Sequence, residues 1–190
     1  MNPPEKHNNQ LYVVSISKLI IMSASSMGLY LVYWSYRHWL LIRGQRGLKL
    51  FPLLCAIFSA LTMYSLMKKI IARCHEVKQP VEGTALGVTL MYWLPSLIIF
   101  GWDLGFDDHM ANSLPLSVFI VISLMLPIIR ITFIIVALVQ MQQAANICEG
   151  DPHGLQNSKI TWTNVMWLII CWIPFAALFG FLVTNPFLLY

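Results

Sequence analysis

Residues 114–139, LPLSVFIVISLMLPIIRITFIIVALV, contain one charged side chain, Arg130, in an otherwise apolar or weakly polar run. A helix of about 20 mostly apolar residues crosses the roughly 30 Å hydrocarbon layer of a bilayer. This run is longer than that minimum and ends in polar residues, QMQQ, on its carboxyl side. It therefore predicts a transmembrane helix, and the rest of the fold is built outward from it.

The composition agrees with a lipid environment. Of the 190 residues, 58% are hydrophobic and 11% are charged, whereas soluble domains carry about 25% charged residues. A soluble domain of this length could not bury so many apolar side chains, because most residues of a small domain contact solvent. Much of the surface is therefore expected to face lipid.

Three further runs are long and apolar enough to cross a bilayer: residues 18–36, 84–102 and 165–183. Residues 50–67 differ, because their weakly polar side chains recur at helical spacing and form a stripe. These side chains are Cys55, Ser59, Thr62 and Ser65. The pattern predicts an amphipathic helix rather than a uniformly apolar one.

The charges on either side of residues 50–67 favour keeping this segment from crossing. Basic residues precede it (Arg37, Arg43, Arg46 and Lys49) and follow it (Lys68, Lys69, Arg73 and Lys78). If the segment crossed, one basic cluster would lie outside, against the positive-inside tendency of short loops. We expect an all-α membrane protein, a bundle of four transmembrane helices plus one amphipathic re-entrant or interfacial helix; the alternative is five full spans.

The chain divides into a polar tail, residues 1–17, and a single helical membrane domain, residues 18–190. This arrangement also assigns each loop to one face of the membrane. The acidic loop DLGFDDH, residues 103–109, is expected outside, as a solvated turn rather than a cation site. The loop NICEGDPHGLQNSK, residues 146–159, is expected inside, and both termini outside. The four cysteines show no metal-ligand spacing and predict neither a disulfide framework nor a metal site, and we expect no cofactor.

Arg130 is the most costly residue of the sequence. An arginine at the centre of a transmembrane helix costs about 2.5 to 3.5 kcal/mol on insertion scales, so it needs a partner or a wet cavity. Ser123 and Thr132 are the nearby hydroxyls, and Pro127 frees a carbonyl in the same helix. The two interpretations are an anion or lipid-headgroup contact and a side chain satisfied by a neighbouring helix.

Two other stretches concentrate polar or aromatic residues. The loop after the long helix carries a candidate cytoplasmic site: Asn146, Asp151, His153, Asn157 and Asn164. Residues 28–39, GLYLVYWSYRHW, are either a binding box or an aromatic belt at the membrane surface. Helical spacing spreads the rings around the axis, which favours a belt with anionic headgroups near Arg37, Arg43, Arg46 and Lys49. The belt residues are Tyr30, Tyr33, Trp34, Tyr36, Arg37 and Trp39.

The same two stretches resemble a group of small multi-pass inner-membrane proteins of Gram-negative bacteria. The similarity rests on a GxYxxYWxYRxW stretch at residues 28–39 and an N(x3)GDPxGxxN pattern at residues 146–157, and it covers nearly the whole chain. It implies a bacterial inner-membrane location and a multi-pass topology but no mechanism. Cys55 departs from the group, in which arginine is frequent near this position; an interfacial segment fits that preference.

The sequence shows no nucleophile elbow, phosphate-binding loop or metalloprotease motif. We therefore expect a non-enzymatic accessory or interaction subunit that contacts the lipid bilayer and a membrane protein partner or a second copy of itself, and no nucleic acid. The alternative is a small transporter, channel or lipid-handling protein with Arg130 in a polar cavity. A weaker alternative is a membrane-embedded enzyme using Arg130, Asp151 and His153.

Overall fold

The structure, a computed structural model, describes residues 9–26, 28–47, 49–105 and 115–184. All regular elements in these ranges are helical, as the sequence predicts. Seven α-helices and a short 3-10 helix, Leu155–Asn157, follow in chain order. The α-helices are α1 Ile16–Ser25, α2 Leu29–Arg46, α3 Pro52–Ile57, α4 Ser59–Glu76, α5 Ala85–Gly105, α6 Leu116–Cys148 and α7 Trp162–Thr184. Most of the acidic loop, residues 106–109, lies outside the described ranges.

Three helices of the described chain are long and apolar enough to cross a membrane. Their apolar parts are Ala85–Trp102, Ser117–Cys148 and Trp162–Phe181, which lie in α5, α6 and α7. They correspond to three of the four predicted spans. The 33 residues of α6 extend about 50 Å, longer than the roughly 30 Å hydrocarbon layer. One end of α6 therefore projects beyond any membrane that the helix crosses.

The first predicted span, residues 18–36, is not one helix, so the count of four spans is not confirmed. α1 ends after ten residues, and α2 begins beyond Gly28, whose φ of +87° belongs to the left-handed region. The Ser26 hydroxyl competes for backbone hydrogen bonds at the end of α1, where it donates to the Ser23 carbonyl (3.4 Å), and glycine tolerates the positive φ. The hydroxyl of Ser26 accepts from the Tyr30 N–H (2.8 Å) and so starts α2.

α1 and α2 fold back on each other as a helical hairpin. At its open end, the Tyr12 N–H donates to His38 Nδ1 (3.3 Å), which places residues on either side of the hairpin at one level. At its tip, the Ser25 carbonyl accepts from Trp172 Nε1 (2.8 Å), near the middle of α7. The segment ahead of α1 lies beside the loop that follows α6, since Asn9 donates to Gln156 (3.0 Å) and the Ser15 N–H donates to the Asn157 carbonyl (3.4 Å). The prediction that residues 1–17 and that loop occupy opposite sides is therefore wrong for residues 9–17.

α3 and α4 also turn back along the bundle. Trp93 Nε1, on α5, donates to the Ala60 carbonyl at the start of α4 (3.1 Å), whereas Cys74 near its end contacts the end of α6. α4 buries one stripe of side chains, Met63, Leu66, Met67, Ile70 and Cys74. Apolar side chains before that stripe remain exposed: Phe51, Leu53, Leu54, Ile57, Phe58 and Leu61. The prediction of one amphipathic helix over residues 50–67 is therefore not confirmed, because the chain breaks at Phe58 into α3 and α4 and the exposed side chains there are apolar.

Cys74 and Cys148 form a disulfide between α4 and α6, with their Cα atoms 5.0 Å apart. The prediction that the cysteines form no disulfide is wrong. The two residues are far apart in the sequence and show no motif spacing, so only the packing of α4 against α6 brings them together. Cys55 and Cys171 are free.

The buried core lies at one end of the bundle, which we call the head: residues 11–15, 34–42, 63–74 and 137–157. These ranges belong to the segment ahead of α1, to α2, to α4, and to the end of α6 with its loop. The same core includes Leu19 and Met22 of α1 and Ala85 and Val88 of α5. By contrast, 17%, 0% and 6% of the most apolar 18-residue stretches of α5, α6 and α7 are buried. The long helices therefore keep their apolar surface available to lipid, while the head is held together by its own core.

Candidate anion site

An extended segment, residues 11–15, runs buried through the head and takes its hydrogen bonds from side-chain amides. Buried backbone N–H and C=O groups need partners. Asn146 accepts from the Val14 N–H (3.3 Å) and donates to the Val14 carbonyl (2.9 Å). Gln142, one turn earlier on α6, donates to the Tyr12 carbonyl (2.9 Å). The two amides therefore replace the neighbouring strand that an extended segment ordinarily requires.

Gln142 is also the centre of a buried polar network. Its side-chain oxygen accepts from Trp34 Nε1 and from His38 Nε2, and its nitrogen donates to the Asn146 oxygen (2.7 Å). Because His38 Nδ1 accepts from the Tyr12 N–H, its proton is assigned to Nε2. Burial lowers the pKa of His38 to about 3, so the ring is neutral. The network fixes the position of Tyr12.

The loop after α6 is shaped to receive the extended segment. Gly154 has a φ of +64°, and a Cβ there would lie 2.5 Å from the backbone of Val14 and Ser15. Asp151 organises the loop, since its carboxylate accepts from the N–H groups of Leu155 and Gln156 (both 2.9 Å). Burial alone would raise the pKa of Asp151, but the N–H donors of the loop lower it below its usual value. Asp151 is therefore a structural carboxylate.

A cavity of about 520 Å³ lies between the extended segment, α2 and the loop leading into α7. We call it the head cavity. Its charged lining residues are both cations, Lys18 and Arg37. The other polar lining side chains are Asn9, Tyr12, Tyr33, Gln156, Asn157, Thr161, Thr163 and Asn164.

Lys18 is 3% exposed. Its ammonium group donates to the Asn157 side-chain oxygen (2.7 Å) and to the Lys159 carbonyl (2.8 Å). Both acceptors are neutral, and no ion pair joins Lys18 to a carboxylate in the described part of the chain. Burial lowers the pKa of Lys18. A third ammonium N–H remains for a ligand.

Arg37 reaches the same cavity from α2. Its Nη1 donates to the Tyr33 hydroxyl (3.0 Å), and its guanidinium carbon lies 4.9 Å from the centre of the Tyr12 ring. Asn157 donates to the Tyr12 hydroxyl (2.8 Å), so Tyr12 joins the surroundings of Arg37 to those of Lys18. Within the described ranges Arg37, like Lys18, has no carboxylate partner.

This arrangement suits an anion. Two cations without a carboxylate are costly to bury, and a ligand that accepts hydrogen bonds from both offsets that cost. Hydrogen bonds between ionised groups are roughly twice as strong as neutral ones, and the guanidinium group can form two in parallel. Phenol, amide and hydroxyl groups around the cavity supply further donors.

The structure separates the five residues predicted in the loop. Asn157 and Asn164 line the head cavity, and Asn164 also accepts from the Thr161 N–H (3.0 Å) at the start of α7. Asn146 lies behind the cavity in the core. Asp151 holds the loop, and His153 is exposed and borders a different cavity beside Glu82. The five residues therefore do not form one site.

The predicted aromatic belt is not supported. Tyr30, Trp34 and Trp39 are 0%, 1% and 2% exposed, because α2 packs into the head instead of facing lipid. Tyr36 is half-buried, while Tyr33 and Arg37, also half-buried, line the head cavity. Of residues 28–39, Tyr33 and Arg37 line the head cavity, and Tyr30, Trp34 and Trp39 belong to the core.

Of the four cations predicted to meet lipid headgroups, Arg37 lines the cavity. Arg43 and Lys49 are exposed and do not line it. The side chain of Arg46 lies outside the described part of the structure. The predicted headgroup contact at Arg43, Arg46 and Lys49 therefore stays a prediction.

Arg130, Ser123 and Thr132 do not share a cavity. Arg130 borders a second cavity, with Ser23 and Tyr92, whereas Thr132 donates to the Ile128 carbonyl of its own helix (2.8 Å). Arg130 lies about 27 Å along α6 from Cys148, at 1.5 Å per residue. It is therefore far from Asp151 and His153, and the three residues of the weaker enzyme alternative do not meet.

Sequence reasoning missed several residues of the site, among them Tyr12, Lys18 and Gln142. Lys18 is the one that left a signal, since it is a lysine at the edge of an apolar run. Nothing in the sequence around Tyr12 or Gln142 marks them as site residues, because only the fold brings the two together.

No protein-family model, curated protein or solved structure matches this chain. The geometry of the head cavity is therefore the basis for assigning a function.

Proposed function

We propose that this protein is an integral membrane protein that binds the phosphate of an anionic lipid headgroup in the head cavity, without catalysis. The observation that carries the proposal is the pair Lys18 and Arg37, two cations in one cavity without a carboxylate partner. This is the lipid-handling alternative, with the site moved from Arg130 to the head. An accessory subunit with a protein partner or a second copy remains a prediction.

The position of the cavity favours a lipid over a free anion. Thr161, Thr163 and Asn164 line the cavity, and the apolar part of α7 begins at Trp162. The cavity therefore lies where α7 would enter the hydrocarbon layer, which is the depth of lipid headgroups. Exposed apolar side chains farther along α7, such as Ile169 and Ile173, offer a surface for acyl chains.

The donor set favours phosphate. A phosphate has several acceptor oxygens, and arginine can bind two of them in a parallel pair of hydrogen bonds. Lysine adds a compact charge, and Asn157 already holds it in place through a 2.7 Å hydrogen bond. A headgroup with a net negative charge fits better than a zwitterionic one, because no carboxylate lines the cavity to receive a choline or ethanolamine cation.

We further propose an arrangement in the membrane. α5, α6 and α7 cross; the α1–α2 hairpin and the α3–α4 segment enter from the head side and return to it. This puts the basic residues on both sides of residues 50–67 on one face, which the positive-inside tendency makes cytoplasmic. The resemblance to small multi-pass inner-membrane proteins of Gram-negative bacteria supports that membrane as the location.

The test is lipid binding by the purified full chain, measured by native mass spectrometry with phosphatidylglycerol and phosphatidylcholine as probes. We expect Arg37→Gln and Lys18→Gln each to weaken phosphatidylglycerol binding about tenfold or more, because each removes one charged hydrogen-bond donor. Arg43→Gln is the matched control, an arginine of the same helix outside the cavity, and should bind like the wild type.

Both cavity variants must melt close to the wild-type temperature for the comparison to count. Lys18→Gln keeps an N–H donor for Asn157, which limits structural damage. Equal phosphatidylglycerol binding by the wild type, Arg37→Gln and Lys18→Gln would contradict the proposal, as would equal affinity for the two lipids.

A further inference from the structure

A second cavity, of about 480 Å³, lies beside the tip of the α1–α2 hairpin, between α5 and α6. It is separate from the head cavity, with no lining residue in common. Its polar side chains are Ser23, Tyr92 and Arg130. The rest of its lining is largely aliphatic and includes Leu31, Ile134 and Leu138.

Arg130 enters this cavity with its charge unmatched. No hydrogen bond or ion pair joins its guanidinium group to another residue in the described ranges. It lies within Ser117–Cys148, the apolar part of α6. A guanidinium group carries five N–H donors, so an arginine at this depth requires acceptors from outside these residues.

Ser23 is a second, independent sign of a ligand. Ser23 is 8% exposed, and its hydroxyl oxygen has no hydrogen-bond partner. A buried hydroxyl without a partner is costly. A ligand that places an acceptor near Ser23 and Arg130 would satisfy both side chains at once.

The crossing helices of the described chain carry no carboxylate at this depth. The acidic residues of the sequence are Glu5, Glu76, Glu82, Asp103, Asp107, Asp108, Glu149 and Asp151, and none falls within Ala85–Trp102, Ser117–Cys148 or Trp162–Phe181. A second copy would face the same shortage in its own crossing helices. The crossing helices of the described chain therefore provide no counter-ion for Arg130, which favours one from a different molecule.

We propose that this cavity binds a single-chain lipid carrying a carboxylate, that is, a fatty acid. The carboxylate pairs with Arg130 in the planar geometry that suits a guanidinium group, and it accepts from the Ser23 hydroxyl. The alkyl chain packs along Leu31, Ile134 and Leu138. This site goes beyond the headgroup site proposed for the head cavity and does not depend on it.

The size of the cavity favours a lipid chain over an acidic residue on a partner helix. Two turns of a helix 10 Å wide occupy about 850 Å³, well above the 480 Å³ available. Small-molecule sites, by contrast, span roughly 300 to 1,000 Å³. An aliphatic wall with a few polar groups at one place is also the usual composition of such sites.

The experiment measures binding of oleate to the purified full chain in nanodiscs of phosphatidylcholine, with oleyl alcohol as the uncharged probe. We expect oleate to bind at least tenfold more tightly than oleyl alcohol. Arg130→Leu should remove that preference, and Arg130→Lys should keep part of it. Ser23→Ala should weaken oleate binding less than Arg130→Leu does, because it removes a neutral donor.

Oleate could also enter the head cavity, so Lys18→Gln and Arg37→Gln are measured to tell the two cavities apart. Arg43→Gln is the control, because Arg43 lines neither cavity, and it should bind oleate like the wild type. If either loses oleate binding while Arg130→Leu retains it, the Arg130 site is wrong and the head cavity is the anion site. The proposal is overturned if no variant changes oleate binding. It is also overturned if the wild type binds no oleate and instead retains a partner protein with an acidic transmembrane helix.

Discussion

At the scale of single residues, His38 shows how burial changes the chemistry of a side chain. The ring is 0% exposed and lies between the Tyr12 backbone and the Gln142 amide. In the sequence it belongs to a run of rings and an arginine that resembles a surface motif. Its burial makes it a neutral hydrogen-bonding residue and excludes it from proton transfer near neutral pH.

His38 predicts a pH dependence of stability. Its pKa falls from 6.5 when unfolded to about 3 in the fold, so the unfolded chain alone gains a proton between these values. The contribution of neutral His38 to the free energy of unfolding is therefore complete above pH 6.5 and is lost as the pH falls towards 3. Lowering the pH from 7.5 to 5.5 should cost about 1.4 kcal/mol.

The measurement is thermal unfolding in detergent at the two pH values, followed by tryptophan fluorescence. His38→Asn is the control, because its side-chain oxygen can still accept from the Tyr12 N–H but does not titrate. The variant should lose most of the difference between pH 7.5 and pH 5.5. A wild type and a variant with the same pH dependence would show that another group is responsible.

At the scale of elements, the head depends on how the loop after α6 meets the extended segment at residues 11–15. Gly154 is the contact where backbone meets backbone, with no room for a Cβ. Asn146 and Gln142 then satisfy the segment's polar groups from α6. The glycine and amides of the loop pattern are therefore explained first by docking, and they form the head cavity as a result.

Gly154→Ala tests this docking. Gly150 is the matched control, because it also has a positive φ, +76°, but a Cβ there would meet nothing within 4 Å. Gly150→Ala should cost about 1 to 2 kcal/mol for backbone strain alone. Gly154→Ala should cost about 1 to 3 kcal/mol more because of overpacking.

Thermal unfolding of both variants in the same detergent measures the difference. Phosphatidylglycerol binding should fall in Gly154→Ala and not in Gly150→Ala, because the former displaces the segment that carries Tyr12. Equal losses of stability would indicate that the segment moves aside freely and that docking is weak.

At the scale of the whole molecule, the arrangement is three apolar helices joined to a head with its own core. The head contains a disulfide, Cys74–Cys148, which is typical of oxidising compartments. The basic residues around it predict the cytoplasmic side, so the disulfide and the charges favour opposite sides of the membrane. The side on which the head lies is therefore the most informative property of the molecule to measure.

Cysteine labelling in intact and permeabilised cells measures that side. With Cys55 and Cys171 replaced by serine, we expect Arg43→Cys, Lys69→Cys and Lys159→Cys to label from one face, the cytoplasmic one. Thr184→Cys, at the far end of α7, should label from the other face. Opposite faces for Arg43→Cys and Lys69→Cys would mean that the chain between them crosses, as in the alternative of five spans.

The sequence by itself determined the helical class and the three long apolar helices, because hydropathy is a local property of the chain. It could not show that the chain breaks at Gly28 and folds back as a hairpin, that Cys74 pairs with Cys148, or that Trp34 and Trp39 are buried. The tertiary structure decided these, since they depend on which distant residues meet. The head cavity is the clearest case: Lys18 and Arg37 become one anion site only because Tyr12 and Asn157 meet between them.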